Sequence, residues 1–529
     1  LDHQHDAGVD WFVLFEDSMS EEQAVFSGFP SRVLIVGLGE TGIAAARWCA
    51  RNGAMLRIAD TRATPAGLEA LSAELDPARV EWHVGCDVFA ESLLDDTQQL
   101  VLSPGLAPGM SPVRELLEAA TARGVEIIGE IELFARALKS LKAEREYAPK
   151  VLGVTGTNGK TTVTALTRRM LEASGLRARA AGNISPAALH ALMEALDQED
   201  LPDVWVLELS SFQLETTRSL HMTAATVLNL TQDHLDWHVT MPAYSEAKAR
   251  IFSMAQQWIL NRDDANVMSM IESQRAMNAR SFGRDTPMLT ADVGIESSHD
   301  VSWLCSCEVT EFEDDVPTPG RRKKNAPPPE RQVGRMLRLM PVEALGVKGL
   351  HNALNCQAAL LLGRACGATW APMLRAAGEY QGEPHRMAFV RSVRGIDFFN
   401  DSKGTNVGAT AAGLDGLGRR IVLIAGGVGK GQDFEPLVPV IKRHVSSVIL
   451  IGQDATLLSQ VLAPAEVPCV LARDLPHAVA QAFERAQEGD AIVLSPACAS
   501  FDMFKNYPHR GQVYVDAVLE LALDQGEVA

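Results

Sequence analysis

A multidomain α/β protein is what three features of this chain predict. Glycine-punctuated apolar runs alternate with alanine-rich helical stretches, the pattern of parallel strands joined by crossover helices. At 529 residues the chain is too long for one hydrophobic core, and about three domains are expected. Glycine-rich turns follow buried-strand runs at Gly37, Gly153 and Gly426, three widely separated places in the sequence. Composition is globular, 47% apolar and 22% charged. A net charge of −19 argues against a broad nucleic-acid footprint, although an acidic protein can still bind anions where its cations are focused in clefts.

The first block opens with residues 1–30, an N-terminal extension expected to be at least partly disordered. It has no basic stretch ahead of an apolar run, so it does not read as a secretion signal. Residues 31–145 then form a dinucleotide-type βαβ unit. The strand Val33–Val36 leads into Gly37-Leu-Gly39-Glu-Thr-Gly42 and the helical segment Ile43–Ala50; a second strand from Met55 ends on Asp60. Glycines there let a phosphate approach the backbone, and an acidic residue about 20 positions on suits a ribose hydroxyl. A tight turn with no ligand remains the alternative. The strand Gln99–Leu102 delivers Ser103 and Gly105, and the polar stretch Lys139–Lys150 reads as a linker.

The second block spans residues 150–380. Gly153-Val-Thr-Gly-Thr-Asn-Gly-Lys-Thr161 follows the strand at Val151 and opens a helix over Thr162–Ala173. Such a turn aims backbone N–H groups and the positive end of a helix dipole at an anion. Lys160 adds a charge and Thr161 a hydroxyl suited to Mg²⁺. The spacing departs from the Walker A pattern, which places its first glycine where Val154 stands. Strands at 203–208 and 225–230 bring Glu208, Ser210, Gln213 and His234 to one sheet edge, where ligands of open α/β sheets bind. Glu208 suits Mg²⁺ together with Thr161 and a nucleotide. His234 is the second metal-ligand candidate, although a hydrogen-bonded strand-end histidine is the commoner reading of such a residue. Lys248 reads as an ordinary surface lysine on a helix, and Asn352 and Asn355 as helix-start caps, with Asn352 also able to face a nucleotide. Charges and prolines over residues 311–332 predict a flexible surface insertion.

The third block, residues 383–529, carries Arg386, Asp401 and Lys403. These groups suit a transferring phosphoryl, although Asp401 and Lys403 could instead satisfy each other. Buried strands at 421–425, 448–451 and 491–494 imply a second doubly wound domain. The eight cysteines are scattered without a C-x-x-C pair, and no apolar run approaches the ~18–20 residues that span a bilayer. A cytoplasmic protein without disulfides is expected.

Taken jointly, Thr155-Gly-Thr-Asn-Gly-Lys-Thr-Thr162, Glu208-Leu-Ser-Ser-Phe-Gln213, His351-Asn-Ala-Leu-Asn355, Arg386, Asn400-Asp-Ser-Lys403 and Ser495-Pro-Ala-Cys-Ala-Ser500 resemble the ATP-dependent Mur ligases of bacterial cell-wall synthesis. The resemblance runs from about Arg32 to Val515. It implies three domains: an N-terminal Rossmann-like domain, a central P-loop-type ATPase with a mainly parallel sheet, and a C-terminal Rossmann-like domain. It further implies a monomer that couples ATP cleavage to ligation of D-glutamate to UDP-N-acetylmuramoyl-L-alanine, through an acyl phosphate.

By that resemblance, Gly156, Thr157, Asn158, Gly159, Lys160, Thr161, Thr162, Asn352, Asn355, Arg386, Asp401 and Lys403 contact ATP. Two Mg²⁺ ions fall to Thr161, Glu208, His234 and a Lys248 carbamylated by CO₂, which overturns the surface reading of that lysine. Leu38, Thr41, Asp60, Thr61, Arg62, Ser103 and Gly105 would hold the UDP part, and Asn183, Ser210 and Gln213 the muramoyl-alanine arm. Thr405, Lys430, Ser500 and Tyr507 match the D-glutamate site; phenylalanine is the expected residue at the last position. A sister ligase adding another amino acid, a folylpolyglutamate synthase and a dinucleotide-dependent oxidoreductase are the competing readings. Against the first, this chain lacks the Asp-Asn-Pro-Arg run expected of the diaminopimelate-adding member. The second would not need the Asp60 block, and the third leaves the Lys160 loop unexplained.

Overall fold

A computed structural model describes residues 29–309 and 329–527. The chain falls into two compact units, one running to Tyr147 with Ala187–Glu194 added, the other comprising Ala148–Pro186 and the chain from Ala195 onward. The expected N-terminal extension, apart from Phe29 and Pro30, lies outside the described residues.

The first unit is built on a wholly parallel five-stranded sheet: β1 (Arg32–Val36), β2 (Met55–Asp60), β3 (Val80–Val84), β4 (Gln99–Leu102) and β5 (Glu126–Ile128) in the order β3-β2-β1-β4-β5. Leu34, Val36, Leu100 and Leu102 are buried and pack under helix Val113–Ala122 through Leu116 and Leu117. The glycine turn after β1 feeds helix Glu40–Arg51 so closely that a Cβ on Gly42 would sit 1.9 Å from the Gly37 carbonyl oxygen. Gly42→Ala is therefore expected to destabilise this unit by about 1–3 kcal/mol. Denaturant unfolding followed by tryptophan fluorescence would check it; an unchanged midpoint would contradict the close packing. The expected linker is shorter than the sequence suggested. Helix Glu130–Arg145 runs through Lys139 because Leu133, Phe134, Ala137 and Leu141 make a buried stripe, and Lys, Glu and Arg are good helix formers.

The second unit contains three sheets. One is six-stranded and wholly parallel: β6 (Lys150–Thr155), β7 (Ala178–Gly182), β8 (Val204–Glu208), β9 (Met222–Val227), β10 (Ala255–Asn261) and β11 (Ala279–Phe282), ordered β11-β10-β9-β6-β8-β7. Here β6 lies between β8 and β9, with Val154 opposite Glu208 and Thr155 opposite Val227, so three strand ends open side by side. The strand expected to reach residue 230 stops at Val227. Beyond it, Asn229 accepts from the Thr157 backbone N–H and takes the Asn158 N–H on its side-chain oxygen, leaving the sheet to brace the glycine loop.

An antiparallel sheet that the sequence did not reveal follows, from β12 (Val293–Ser298), β13 (Val301–Glu308) and β14 (Arg335–Pro341). Most of the expected 311–332 insertion lies outside the described residues, but its end is no loose loop. Glu330 bridges to Ala276, and Arg331 is 3% exposed and paired with buried Asp292 at 2.5 Å.

The last sheet has β15 (Ala388–Val393), β16 (Ile396–Asn400), β17 (Ile421–Gly426), β18 (Val445–Ile451), β19 (Cys469–Leu471) and β20 (Ala491–Leu494) in the order β15-β16-β20-β17-β18-β19. All its pairs are parallel except the edge hairpin β15–β16, a common addition to doubly wound sheets. The α/β class with parallel-sheet domains is thus as the sequence predicts. The eight cysteines are free thiols, six of them buried, and no helix among the described residues is long and apolar enough to cross a membrane.

Candidate active site

A cleft of about 550 Å³ in the second unit opens where β6, β8 and β9 end and takes its far wall from the residues after β16. Gly159 caps helix Lys160–Ala173 with φ 84, a left-handed turn that glycine adopts without strain. Thr157, Asn158, Gly159, Lys160 and Thr162 line the cleft. The Lys160 ammonium folds back on its own loop, donating to the carbonyls of Gly156 and Thr157, both at 2.8 Å. Burial pushes its pKa down, against the pull of Glu208 and Asp233.

Glu208 ends β8 at 2% exposure. Its Oε1 accepts from Asn183 Nδ2 at 2.7 Å, while Oε2 is buried without a partner. A desolvated carboxylate oxygen left bare is costly unless a cation meets it, so Glu208 fits a hard metal ion. Among the described residues no group of three or more His, Cys, Asp and Glu could hold a metal unaided. Substrate phosphate, the Thr161 hydroxyl, a new anionic oxygen or water would therefore complete any Mg²⁺ shell. Thr161 Oγ1 accepts from Arg386 Nη2 at 2.5 Å.

Lys248 overturns its surface reading. Helix Met241–Ser253 carries it inward to 1% exposure, where Nζ donates to the Gly156 carbonyl at 3.0 Å and lies 4.7 Å from the Tyr244 ring centroid. Burial, with Lys160 nearby, holds this amine well below its ordinary pKa. His234 is half-buried and left-handed at φ 55; Nε2 lies 3.6 Å from Asp233 Oδ2, and the ring meets Phe212 edge-on. Burial and the lysines lower its pKa, so the imidazole is held neutral, although Asp233 opposes this.

From the third block come Arg386, Asp401, Lys403, Thr405 and Lys430, all lining the same cleft. Asp401 and Lys403 do not satisfy each other. Asp401 accepts from Ser495 Oγ at 2.7 Å and from the Met387 N–H at 3.2 Å, and burial raises its pKa to about 7. The Lys403 ammonium lies 4.0 Å from the Tyr507 ring, its pKa pulled down to about 8 by burial and then by Arg386 and Lys160. Asn352 and Asn355 line the cleft, Asn355 against Gly159, and neither is the expected cap: Gly349 caps helix Leu350–Ala365 without a side-chain bond, which leaves both asparagines inside the helix.

Other expected residues stand apart. Gln213 is 4% exposed and spends its side-chain oxygen in a capping box with Ser210, outside the cleft that Ser210 and Asn183 line. Its neighbourhood is structural because the Ser-x-x-Gln spacing satisfies the start of helix Ser211–Glu215. Ser500, also buried, and Tyr507 do not line the cleft either. In the first unit Asp60 spends both oxygens within the protein, accepting from the Leu38 N–H of the glycine turn after β1 at 2.7 Å and making a forked pair with Arg62 in its own turn. The group left facing outward is Arg62, a better match to phosphate than to ribose. Ser103 donates to the Gly37 carbonyl, and Leu38 is buried with it; Thr41 follows the same glycine turn, while Thr61 follows β2 and Gly105 follows β4.

Two contributors were missed. Asn406 caps helix Val407–Leu417 and also donates to Asp233 and Asn158, joining the glycine loop to the third block. Tyr244 bonds Thr157 at 3.1 Å and lies under Lys248. It stands four residues before Lys248 on one helix face, a signal available in the sequence.

Comparison with known proteins agrees with this layout. The MurD-like N-terminal domain of Mur ligases matches residues 31–129, the Mur ligase middle domain 154–326, and the Mur ligase glutamate ligase domain 385–498. The UDP-N-acetylmuramoylalanine–D-glutamate ligase of Bordetella bronchiseptica is 63% identical over 94% of this chain and 98% of its own length. That of Bordetella parapertussis is 62% identical over 94% and 97%. The crystal structure of MurF ligase from Thermotoga maritima in complex with ADP shares the fold, with a TM-score of 0.54 and 15% identity over 93% of this chain and 94% of that one. The chain belongs to the Mur ligase family and, within it, to the group formed by these UDP-N-acetylmuramoylalanine–D-glutamate ligases.

Proposed function

We propose that this chain is a cytoplasmic, monomeric ligase that uses ATP to join D-glutamate to UDP-N-acetylmuramoyl-L-alanine in peptidoglycan precursor synthesis. Its three domains would be residues 31–145 for the UDP part, 150–380 for ATP and 383–529 for the amino acid. One observation carries the reading. In a protein of net charge −19, Lys160, Lys248, Arg386, Lys403 and Lys430 line one cleft against the carboxylates Glu208, Asp233 and Asp401. Crowded cations, with the Lys160, Lys248 and Lys403 amines pulled toward neutrality, are stabilised by a polyanion, and a nucleotide triphosphate supplies one.

A carboxylate is a poor electrophile. Its oxygen attacks the γ-phosphorus of ATP, a C–O–P linkage forms, and the bond to the β-phosphate oxygen breaks, releasing ADP. The D-glutamate amine then attacks the activated carbonyl and loses a proton, and phosphate departs with the original carboxylate oxygen. Lys160 and the loop N–H groups orient the β- and γ-phosphates, and Arg386 and Lys403 neutralise charge on the transferring group. Lys430 and Thr405, together with Ser500 and Tyr507, would receive D-glutamate. Thr161, Glu208, His234 and Lys248, the last as a carbamate, would hold Mg²⁺ at two positions. When bound, that metal supplies charge neutralisation at the phosphoryl oxygens. The depressed pKa of Lys248 supports the carbamate, since only a free amine attacks CO₂, forming N–C and shedding a proton.

Phosphate release from ATP in the presence of UDP-N-acetylmuramoyl-L-alanine, with amino acids added singly, tests the reading. D-Glutamate should stimulate release and other amino acids should not; stimulation by a different amino acid in its place would overturn it.

A further inference from the structure

The motif Asn400-Asp-Ser-Lys403 contributes Asp401 and Lys403 to the cleft, while Asn400 and the histidine before Arg386 have no part in the reaction so far. Arg386 sits between His385 at φ 63 and Met387 at φ 47. Two non-glycine residues in the left-handed region persist only when surrounding contacts over-determine them. Three such contacts come from one loop. The Lys403 N–H donates to the His385 carbonyl at 3.1 Å, Asp401 accepts from the Met387 N–H, and Asn400 Nδ2 meets His385 Nδ1 at 3.0 Å.

The last bond has a fixed direction. Asn400 Nδ2 also donates to the Gly511 carbonyl at 3.0 Å, and Asn400 Oδ1 accepts from the Ser402 N–H at 3.1 Å. A carbonyl can only accept and an N–H can only donate, so the amide cannot be turned round. Nδ1 of His385 is therefore the bare nitrogen, and Nε2 carries the proton. The ring is seated tightly, since a Cβ on Gly511 would fall 2.2 Å from His385 Nδ1. Its edge meets Tyr507, whose own ring lies 4.0 Å from the Lys403 ammonium. Arg386 and Lys403 thus share one support.

We propose that Asn400 and His385 form a positioning pair that holds the backbone of Arg386 for the transferring phosphoryl group and locks its placement to that of Lys403. The proposal rests on the ATP-dependent reading above. Neither residue touches substrate; both act through Arg386.

A double-mutant cycle of Asn400→Ala with Arg386→Ala tests it, read in kcat for ligation and in calorimetric affinity for a Mg²⁺ complex of a non-hydrolysable ATP analogue. Asn400→Ala should lower kcat by about 10- to 100-fold, the cost of a guanidinium misplaced by about an ångström, with KM for D-glutamate little changed. In the Arg386→Ala background the same substitution should add less than about twofold, because the group it positions is gone. Multiplying effects, or an Asn400→Ala enzyme within about twofold of the parent, would overturn the pair. A second comparison guards against misfolding. His385→Asn keeps an acceptor and tolerates left-handed backbone, and should retain most of the activity that His385→Ala loses; equal losses would also count against the proposal. The affinity cycle needs no amino acid, so a failed D-glutamate assay beside an intact cycle would sink the functional reading and leave the pair standing.

Discussion

Lys160→Ala is expected to lower ligation by about 10³-fold or more, the larger end of what removing one electrostatic stabiliser costs. The ammonium at present spends itself on the Gly156 and Thr157 carbonyls, neutral acceptors that a triphosphate would outcompete. The fold should not suffer. The pKa of Lys160 lies below the ordinary 10.5, so between the two values the unfolded chain binds more protons than the folded one. The charge therefore weakens the native state at neutral pH, and that cost fades as pH rises toward 10.5. The alanine variant should melt no lower than the parent at pH 7. Phosphate release and a melting curve on the same preparation check both halves; unchanged turnover would remove the loop from the mechanism.

Lys248→Ala should be nearly as damaging, again about 10³-fold in turnover, since it removes the atom on which a carbamate would form. Unlike Lys160→Ala, it should be partly rescued by short carboxylates such as acetate, which can enter the space left and supply an anionic oxygen. Near-parent activity without additives would end the carbamate idea. The linkage has the same sign as for Lys160: a buried amine held well below 10.5 makes stability rise with pH up to that value, and the alanine variant should show a flatter rise. A buried lysine kept at this cost beside a glycine loop points to function, because a methionine would fill the space without it.

How legible a residue was depended on how local its chemistry is. The loop at Gly153–Thr161 could be read directly, because turn, lysine and hydroxyl are contiguous and the strand–helix context surrounds them. The strands β1, β4 and β20 were equally plain as short apolar runs bounded by turns. Lys248 was not legible from its own surroundings: on its helix it looks like any solvated lysine, and only the packing of that helix beside β6 buries it. Family resemblance supplied what local chemistry could not. Arg331 failed for the opposite reason. It sits among charges and prolines that mimic a loose loop, while its partner Asp292 lies far back in the chain. Gln213 shows two signals competing in one motif, where the spacing to Ser210 already announced a capping box. The Arg386–Thr161 and Asn406–Asp233 bonds join separate blocks of sequence, and no spacing rule reaches that far.

The central claim is that the cleft activates a carboxylate by phosphorylating it, and an isotope follows that oxygen most directly. UDP-N-acetylmuramoyl-L-alanine carrying ¹⁸O at both oxygens of its alanine carboxylate would be turned over with ATP and D-glutamate, and the released phosphate analysed by mass spectrometry. Transfer of one ¹⁸O from the carboxylate to each phosphate formed is the predicted result. Phosphate released in step with the amide product but free of the label would contradict the account.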